Sequence, residues 1–191
     1  MEMKIFRREL RLSNVPESML KWLNLAGRPS PNNPKGARSF ELELPEKEAL
    51  DLADLGWRVK KRGYDKDLDK FVNSSDMNAD LDNATYKMKI TVNYDSKNPP
   101  KIYRIVDGTN KKRLLKPDAE DPSRDVAKID NASILYCDLI LNGWVSNRDG
   151  IISPFLNIAY FVVESNDIID KWASFDADDE DDGDLPWSSE E

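Results

Sequence analysis

The sequence predicts a mainly β protein that folds as a small, partly open β-barrel with one or two short helices. Two observations predict this class. Polar and apolar residues alternate along Arg38–Leu44 and Thr85–Tyr94, a pattern typical of half-buried strands. The two most apolar stretches, Ala132–Ser146 and Ile151–Glu164, flank a turn signal at Asn147–Gly150, so we predict that they pair as the main wall of the core. A β-sandwich is the second choice for the architecture.

Two further strands and two helices are predicted in the first third of the chain. Met3–Leu12 alternates loosely and is predicted as the opening strand. Pro16–Leu23 has apolar residues at helical spacing, which predicts the first helix. Glu46–Leu55 follows a proline, has acidic residues in its first turn and ends before Gly56, so we predict the second helix there. Trp57–Arg62 alternates apolar residues with cations and is predicted as a basic strand.

The middle of the chain contains two predicted loops. Gly63–Asn83 is polar and lacks periodicity, which predicts a long loop. Lys101–Val106 is predicted as a strand, and Lys116–Lys128 as a second loop. Near the end, Asn166–Trp172 is predicted to form one helical turn. The body is therefore expected to contain six or seven strands.

Composition disfavours catalysis. The chain has no histidine and one cysteine, Cys137, which excludes histidine-dependent nucleophiles and clustered thiolate metal sites. A metal-dependent nuclease using Asp65, Asp67 and Asp69, or the acids of Asp176–Asp184, is the remaining enzymatic alternative. We disfavour it because the first cluster lies in a predicted loop and the second in a predicted disordered tail. We expect no enzyme activity, no cofactor and no metal. The lack of an apolar run of signal-peptide or membrane-span length predicts an intracellular protein that does not contact membranes.

The net charge comes from the end of the chain. The 191 residues include 28 Lys and Arg against 36 Asp and Glu, a net charge of −8. Residues 176–191 contain nine of those acids and no cation, so the rest of the chain has 28 cations against 27 acids. A block of like charge stays solvated and often serves as an interaction tail. We predict one domain at 1–175 and a disordered acidic C-terminal tail at 176–191.

A basic window lies within this balanced body. Between Lys87 and Lys116 there are nine cations and two acids, with Tyr94 and Tyr103 among them. A second basic run surrounds Arg58. Cations that follow phosphates, together with aromatic faces on which bases stack, are the chemistry of sequence-independent single-stranded nucleic-acid binding. The alternative is that these lysines form the solvated face of a half-exposed sheet.

Several short motifs resemble phage-encoded single-stranded DNA-binding proteins. In the body these are Leu25–Gly27, Gly36–Phe40, Leu55–Lys60 and the run Trp144–Phe161. In the tail, Asp181–Trp187 is similar to the acidic, Pro-plus-aromatic tip of bacterial and phage proteins of this type, although four residues follow the aromatic here. The resemblance implies an OB-fold that coats replication or recombination intermediates and recruits partner proteins through the tail. It also implies residence in the cytoplasm of a phage-infected host.

The basic window, the second basic run and the resemblance together give the candidate sites. The predicted nucleic-acid-binding residues are Arg38, Phe40, Trp57, Arg58, Lys60, Lys61, Arg62, Lys87, Lys89, Lys101, Tyr103, Arg104, Lys111, Lys112 and Arg113. The predicted partner-binding residues are Asp184, Leu185, Pro186 and Trp187. The expected partners are single-stranded DNA and replication or recombination proteins, and a homodimer is compatible with the sequence. The alternative function is an acidic interaction protein or DNA mimic that inhibits a host DNA-handling enzyme.

Overall fold

Eleven strands and two short helices make up the part of the chain that the computed structural model describes, which is residues 1–109, 112–121 and 124–164. The strands are β1 (Glu2–Phe6), β2 (Glu9–Pro16), β3 (Leu20–Asn24), β4 (Ser39–Leu44), β5 (Lys60–Asp65), β6 (Lys70–Ser74), β7 (Asp82–Thr91), β8 (Lys101–Val106), β9 (Lys112–Leu115), β10 (Ile134–Val145) and β11 (Ile152–Val163). The helices are α1 (Glu46–Asp54) and α2 (Ala127–Asp130), with a 3₁₀ turn at Glu17–Met19.

All strands join one sheet that has two arms. Its main path runs β1-β2-β10-β11-β7-β4-β3. The first arm contains β7, β4 and β3, with the β5–β6 hairpin added to β7. The second arm contains β11, β10, β2 and β1, with the β8–β9 hairpin added to β11. The arms meet where Thr91 of β7 pairs with Phe155 of β11.

The two arms enclose one hydrophobic core. In the first arm, Leu42 pairs with Met88, and both side chains are fully buried. In the second arm, Leu139, Phe161 and their neighbours are equally buried and belong to the same cluster. Because strand side chains alternate between the two faces, each arm directs every second residue into the core and the others outward. The outward faces of the two arms are therefore separate surfaces.

The main features of the predicted fold class are confirmed. The protein is mainly β, its described sheet is not closed, and two short helices are present. The predicted strand Lys101–Val106 has the observed bounds of β8, and the predicted helix Glu46–Leu55 is α1. The OB-fold assignment and the division at residue 175 stay predictions, and the acidic tail lies outside the described residues. Neither described helix has the length and apolar character needed to cross a membrane.

Two local predictions are wrong. The segment Pro16–Leu23 is not a helix: Leu20 pairs with Leu42 in an antiparallel ladder, and this tertiary pairing outweighs the helical spacing. The segment Gly63–Asn83 is not a loop, because it contains the β5–β6 hairpin and the start of β7. Its polar residues lie on an exposed hairpin, so neither face of it shows the apolar alternation that marks a half-buried strand.

The remaining differences concern strand number and bounds. The predicted opening strand is a hairpin of β1 and β2, which turns at Arg7 with φ of 52°. The basic strand begins at Lys60, because the preceding residues bridge to the start of β11 instead, where Trp57 pairs with Ile152. The sequence predicts six or seven strands, whereas the described residues form eleven.

Gly63 is required by the packing of the β5–β6 hairpin. A Cβ atom at this position would lie 2.7 Å from Leu81 Cβ and 2.8 Å from the Asp82 carbonyl oxygen. Neither atom can move without moving the backbone, so Gly63→Ala should lower the free energy of unfolding by about 1–3 kcal/mol. Urea denaturation measures this change. Asn73→Ala, an exposed change on β6, is the control and should stay within about 0.5 kcal/mol; equal midpoints for the two variants would contradict the packing argument.

Candidate nucleic-acid interface

The outward face of the first arm carries more cations than acids. Strand register aligns its side chains in rows, with Lys21 and Lys89 on either side of Glu41, and Lys87 between Glu43 and Lys60. We call this surface the cationic face, and its charged members are Lys21, Glu41, Glu43, Lys60, Arg62, Lys87 and Lys89. Five cations and two acids give it a net charge of +3. Four of the predicted nucleic-acid-binding residues, Lys60, Arg62, Lys87 and Lys89, therefore lie on this one surface.

The cations of this face differ in how strongly the protein neutralises them. The Lys87 ammonium lies 3.8 Å from the Glu41 carboxylate, and its side chain is 14% exposed. Lys60, Arg62 and Lys89 are exposed. Lys60 also stands directly opposite Lys87, and like charges at paired positions repel each other. A phosphate bound between these two strands would relieve this repulsion.

An exposed tryptophan stands at the β3 edge of the cationic face. Trp22 is 74% exposed, and its φ of 56° lies in the left-handed region that bulky side chains rarely adopt. The pairing of β3 with β4 shifts register around this residue, and such bulges redirect a side chain. Trp22 lines a groove of about 600 Å³ together with Asn24, Arg28 and Lys89. The groove thus combines the exposed Trp22 ring with two cations, and two acids, Glu41 and Asp130, also line it.

The loop beside this groove, residues 25–38, is held by hydrogen bonds to Asp130 and by close packing of Gly36 against Gly27. The backbone N–H groups of Leu25 and Ala26 donate to the Asp130 carboxylate at 2.7 and 3.0 Å. Burial raises the pKa of Asp130, and these two donors oppose that rise. Further along the loop, a Cβ atom on Gly36 would lie 2.2 Å from the Gly27 carbonyl oxygen, so the two chain segments can approach only with glycine there. These contacts hold the groove in a defined shape.

A second exposed aromatic group stands on the β5–β6 hairpin, at the opposite edge of the first arm. Tyr64 and Phe71 pack edge to face with ring centroids 5.6 Å apart, and Phe71 is 61% exposed. The Tyr64 hydroxyl donates to the Asp69 carboxylate, and this hydrogen bond raises the pKa of Tyr64. The cationic face is therefore bordered by Trp22 on one side and by Phe71 on the other.

The carboxylates proposed for a nuclease shape the turn of this hairpin. The Asp65 carboxylate accepts hydrogen bonds from the backbone N–H groups of Asp67 and Leu68 at 3.0 and 3.1 Å. Asp69 accepts the bond from Tyr64. In the described ranges, no group of three or more His, Cys, Asp or Glu side chains is arranged to hold a metal ion.

Three aromatic residues predicted to bind bases are buried instead. Phe40, Trp57 and Tyr103 are 1%, 3% and 5% exposed. Phe40 and Trp57 point into the core, where Trp57 packs over Gly143, and Tyr103 stacks on Tyr160 with centroids 4.9 Å apart. Their rings are covered in this conformation, so the assignment of base stacking to them is corrected.

Neither Trp22 nor Phe71 is among the residues that the sequence predicts to bind nucleic acid. The sequence predicts a helix over Pro16–Leu23, which contains Trp22, and a loop over Gly63–Asn83, which contains Phe71. The pairing of β3 with β4 and of β5 with β6 places them. β4 is distant from β3 in the sequence, and β5 and β6 are mostly polar. No local pattern therefore marks the Trp22 and Phe71 side chains as exposed.

Besides Lys87, three further predicted cations, Arg38, Arg58 and Lys61, contact groups within the protein. The Arg38 guanidinium lies 5.3 Å from the centroid of the Tyr94 ring and 3.7 Å from the Asp118 carboxylate. The Arg58 guanidinium lies 3.7 Å from the Asp149 carboxylate. The Lys61 ammonium donates to the carbonyl oxygens of Met77 and Ala79 at 3.2 and 2.7 Å. A phosphate would have to compete for each of these cations.

The structure divides the basic sequence window between the two arms. Lys87 and Lys89 lie on β7, whereas Lys101, Arg104, Lys112 and Arg113 lie on the β8–β9 hairpin that pairs with β11. Lys101 is exposed, and the other three are half-buried and interact with other groups. The window is thus not one continuous surface. Lys111 lies outside the described residues, as do the predicted partner-binding residues Asp184, Leu185, Pro186 and Trp187.

Comparison with known protein families identifies the family to which the chain belongs. A family model described as "Putative phage ssDNA-binding domain" matches residues 3–189. The chain belongs to this family. The match spans both arms of the sheet and most of the acidic tail, and family membership supports single-stranded DNA as the partner. It confirms the resemblance seen in the short sequence motifs. No curated protein matches the chain.

The ion pair between Arg58 and Asp149 offers a test of one predicted contact. A hydrogen bond with Ser146, the Ile151 backbone N–H and the Arg58 guanidinium hold the pKa of Asp149 below its ordinary value. Asp149→Asn keeps the shape of the side chain and releases Arg58. Because exposed pairs contribute at most about 1 kcal/mol, stability should hardly change, while affinity for a poly-dT oligonucleotide should rise about two- to fivefold at low salt. Fluorescence anisotropy measures this affinity.

The control for this test is Asp54→Asn, which removes the same charge from the last turn of α1. An equal gain in affinity for both variants would mean that only net charge matters and that Arg58 makes no DNA contact.

Proposed function

We propose that this protein is a non-catalytic, sequence-independent single-stranded DNA-binding protein that coats intermediates of phage DNA replication or recombination. The observation that supports this function best is the arrangement of the first arm, in which outward cations lie between two exposed aromatic groups. Family membership supports the same nucleic acid. The assignment to replication or recombination rests on the resemblance to phage single-stranded DNA-binding proteins.

DNA would lie across β3, β4, β7 and β5. Lys60, Arg62 and Lys89 would contact phosphates, since they are exposed on adjacent strands. Neighbouring strands are about 4.8 Å apart, so three spacings cover about 14 Å of backbone path. Bases would stack on Trp22 and Phe71 at the two edges. Stacking accepts every base, and phosphate contacts carry no sequence information, so the binding would be independent of sequence.

The acidic tail would have two roles in this function. Its nine acids can compete with DNA for the cationic face, because a tethered segment is present at an effective concentration of about millimolar. When DNA displaces the tail, Asp184 to Trp187 would become available to replication or recombination proteins. A DNA mimic is the less favoured alternative, because a mimic presents acids on its folded surface whereas the first arm presents net positive charge.

Removing either exposed aromatic ring should weaken DNA binding. Base stacking contributes about 1–3 kcal/mol per base, so Trp22→Ala or Phe71→Ala should lower affinity for poly-dT by about 5- to 150-fold. Leu55→Ala is the matched control, because Leu55 is an exposed apolar residue, 55% accessible, that follows α1. Unchanged affinity for both ring variants, with thermal stability preserved, would reject the cationic face as the DNA site.

Deleting residues 176–191 should tighten binding to poly-dT, most strongly at low salt, because it removes an internal competitor. Titrations of single- and double-stranded oligonucleotides by the full-length and the shortened protein measure this effect. The plot of log affinity against log salt should fall by about 0.7 for each phosphate contacted. Equal or weaker binding by the shortened protein would refute competition by the tail. A slope near zero would refute the electrostatic site itself.

A further inference from the structure

Two exposed aromatic residues lie at one end of the second arm, beside the turn that joins β1 to β2. Trp144 on β10 is 57% exposed, and Phe6 at the end of β1 is 50% exposed. Neither is among the predicted nucleic-acid-binding residues, and neither belongs to the cationic face of the first arm. Two large rings therefore stand in solvent on a surface to which no role has been given.

Strand pairing places these two rings on the same outward face. Phe6 pairs with Glu9 of β2, and Glu9 pairs with Asn142 of β10. Paired residues share a face and side chains alternate along a strand, so Trp144, two residues after Asn142, points to the same side as Phe6. Two strand spacings and two residue steps separate the backbone positions of the rings by about 12 Å.

Backbone contacts hold the β1–β2 turn against β10. The Gly143 N–H donates to the Arg8 carbonyl oxygen at 2.6 Å. A Cβ atom on Gly143 would clash with Ile152 Cγ2 and lie 3.1 Å from the Trp57 ring, so this side of the strand faces the core and requires glycine. The next residue, Trp144, therefore faces outward. The turn and the Trp144 ring thus have fixed relative positions.

Cations surround the two rings. Residues 1–12 include four cations and two acids, which are Lys4, Arg7, Arg8 and Arg11 against Glu2 and Glu9. The Arg11 guanidinium lies 5.0 Å from the centroid of the Phe6 ring and 2.8 Å from the Glu9 carboxylate. Lys4 stands directly opposite Arg11, and like charges at paired positions repel each other. A bound phosphate would relieve this repulsion, as it would between Lys60 and Lys87.

We propose that this surface is a second contact site for the DNA strand that occupies the cationic face. We call it the turn patch, and its members are Lys4, Phe6, Arg7, Arg8, Arg11 and Trp144. The inference rests on the proposed function. Exposed rings among cations are the chemistry that holds single-stranded nucleic acid without regard to sequence, because the rings stack on bases and the cations contact phosphates.

Arg58 lies between the turn patch and the cationic face. Its backbone N–H donates to the Ile152 carbonyl oxygen at 2.8 Å, and the residue after Ile152, Ser153, pairs with Trp144. Lys60 of the cationic face follows Arg58 by two residues. The Arg58 side chain is 48% exposed. A strand leaving Lys60 can therefore pass Arg58 and reach the Trp144 ring with a cation at each step.

The charges favour a polyanion over a second copy of this chain as the occupant. Two copies that met through the turn patch would bring their exposed Arg7 and Arg8 side chains together. Pairing through the outer edge of β1 is disfavoured as well, because Glu2 and Lys4 are exposed there and charged residues on an edge strand oppose the addition of another strand. DNA meets neither obstacle.

The test compares two lengths of oligo-dT, about 5 and about 16 nucleotides, near the ends of the range that one binding domain covers. In the full-length protein, Trp144→Ala should lower affinity for the longer strand by about 5- to 150-fold, the loss of one stacked base. Affinity for the shorter strand should hardly change, because the cationic face can hold it alone. Fluorescence anisotropy measures both affinities. Phe6→Ala should show the same dependence on length, and it decides if Trp144→Ala does not fold.

The control for the ring variants is Tyr136→Ala, which should change neither affinity. Tyr136 lies on the same face of β10, is 38% exposed and is about 26 Å from Trp144 along the strand. For the cations, Arg7→Gln combined with Arg8→Gln should make the log-log salt slope for the longer strand less steep by about 1.4, at about 0.7 per phosphate contact. Lys47→Gln removes an exposed cation of α1 and should leave the slope unchanged.

Failure of this inference differs from failure of the proposed function. If Trp22→Ala weakens binding of both strands while Trp144→Ala and Phe6→Ala weaken neither, the cationic face binds DNA and the turn patch does not. If the unmodified protein binds neither strand, the proposed function fails and the inference fails with it. A dimer in light scattering that Trp144→Ala dissociates, with DNA affinity unchanged, would assign the turn patch to a second copy and overturn the inference.

Discussion

The pairing of β11 is the interaction on which both arms depend. Along one edge β11 pairs with β10 over nearly its whole length. Its other edge receives three partners in succession: the chain at Trp57, then β7 at Thr91, then β8. Each of these pairings fixes the direction of the side chains it aligns, because a shift of one residue would exchange the two faces. The separation of the cationic face from the outward face of the second arm follows from the pairing of this one strand.

The same alternation gives the first arm its charge. In β4, and in β7 from Tyr86 onward, every second residue is buried, and the charged residues between the buried ones are Glu41, Glu43, Lys87 and Lys89. Two of these cations are balanced by the two acids of β4, so β4 and β7 alone would form a neutral solvated face. Lys60 and Arg62 of β5 make the surface positive. The net positive charge of the cationic face thus depends on the β5–β6 hairpin, which pairs with β7.

The sequence predicts the elements whose pattern is local. Alternation in β4 and β7, and the acidic first turn of α1 with its terminal glycine, place these elements within a few residues of their observed bounds. The sequence does not predict the position of Trp22, because its spacing from neighbouring apolar residues fits a helix and only pairing with β4 turns it outward. The short motifs predict Phe40 and Trp57 at the DNA-binding surface, but both side chains are buried in the core. Exposure is set by contacts between distant segments, which no local pattern contains.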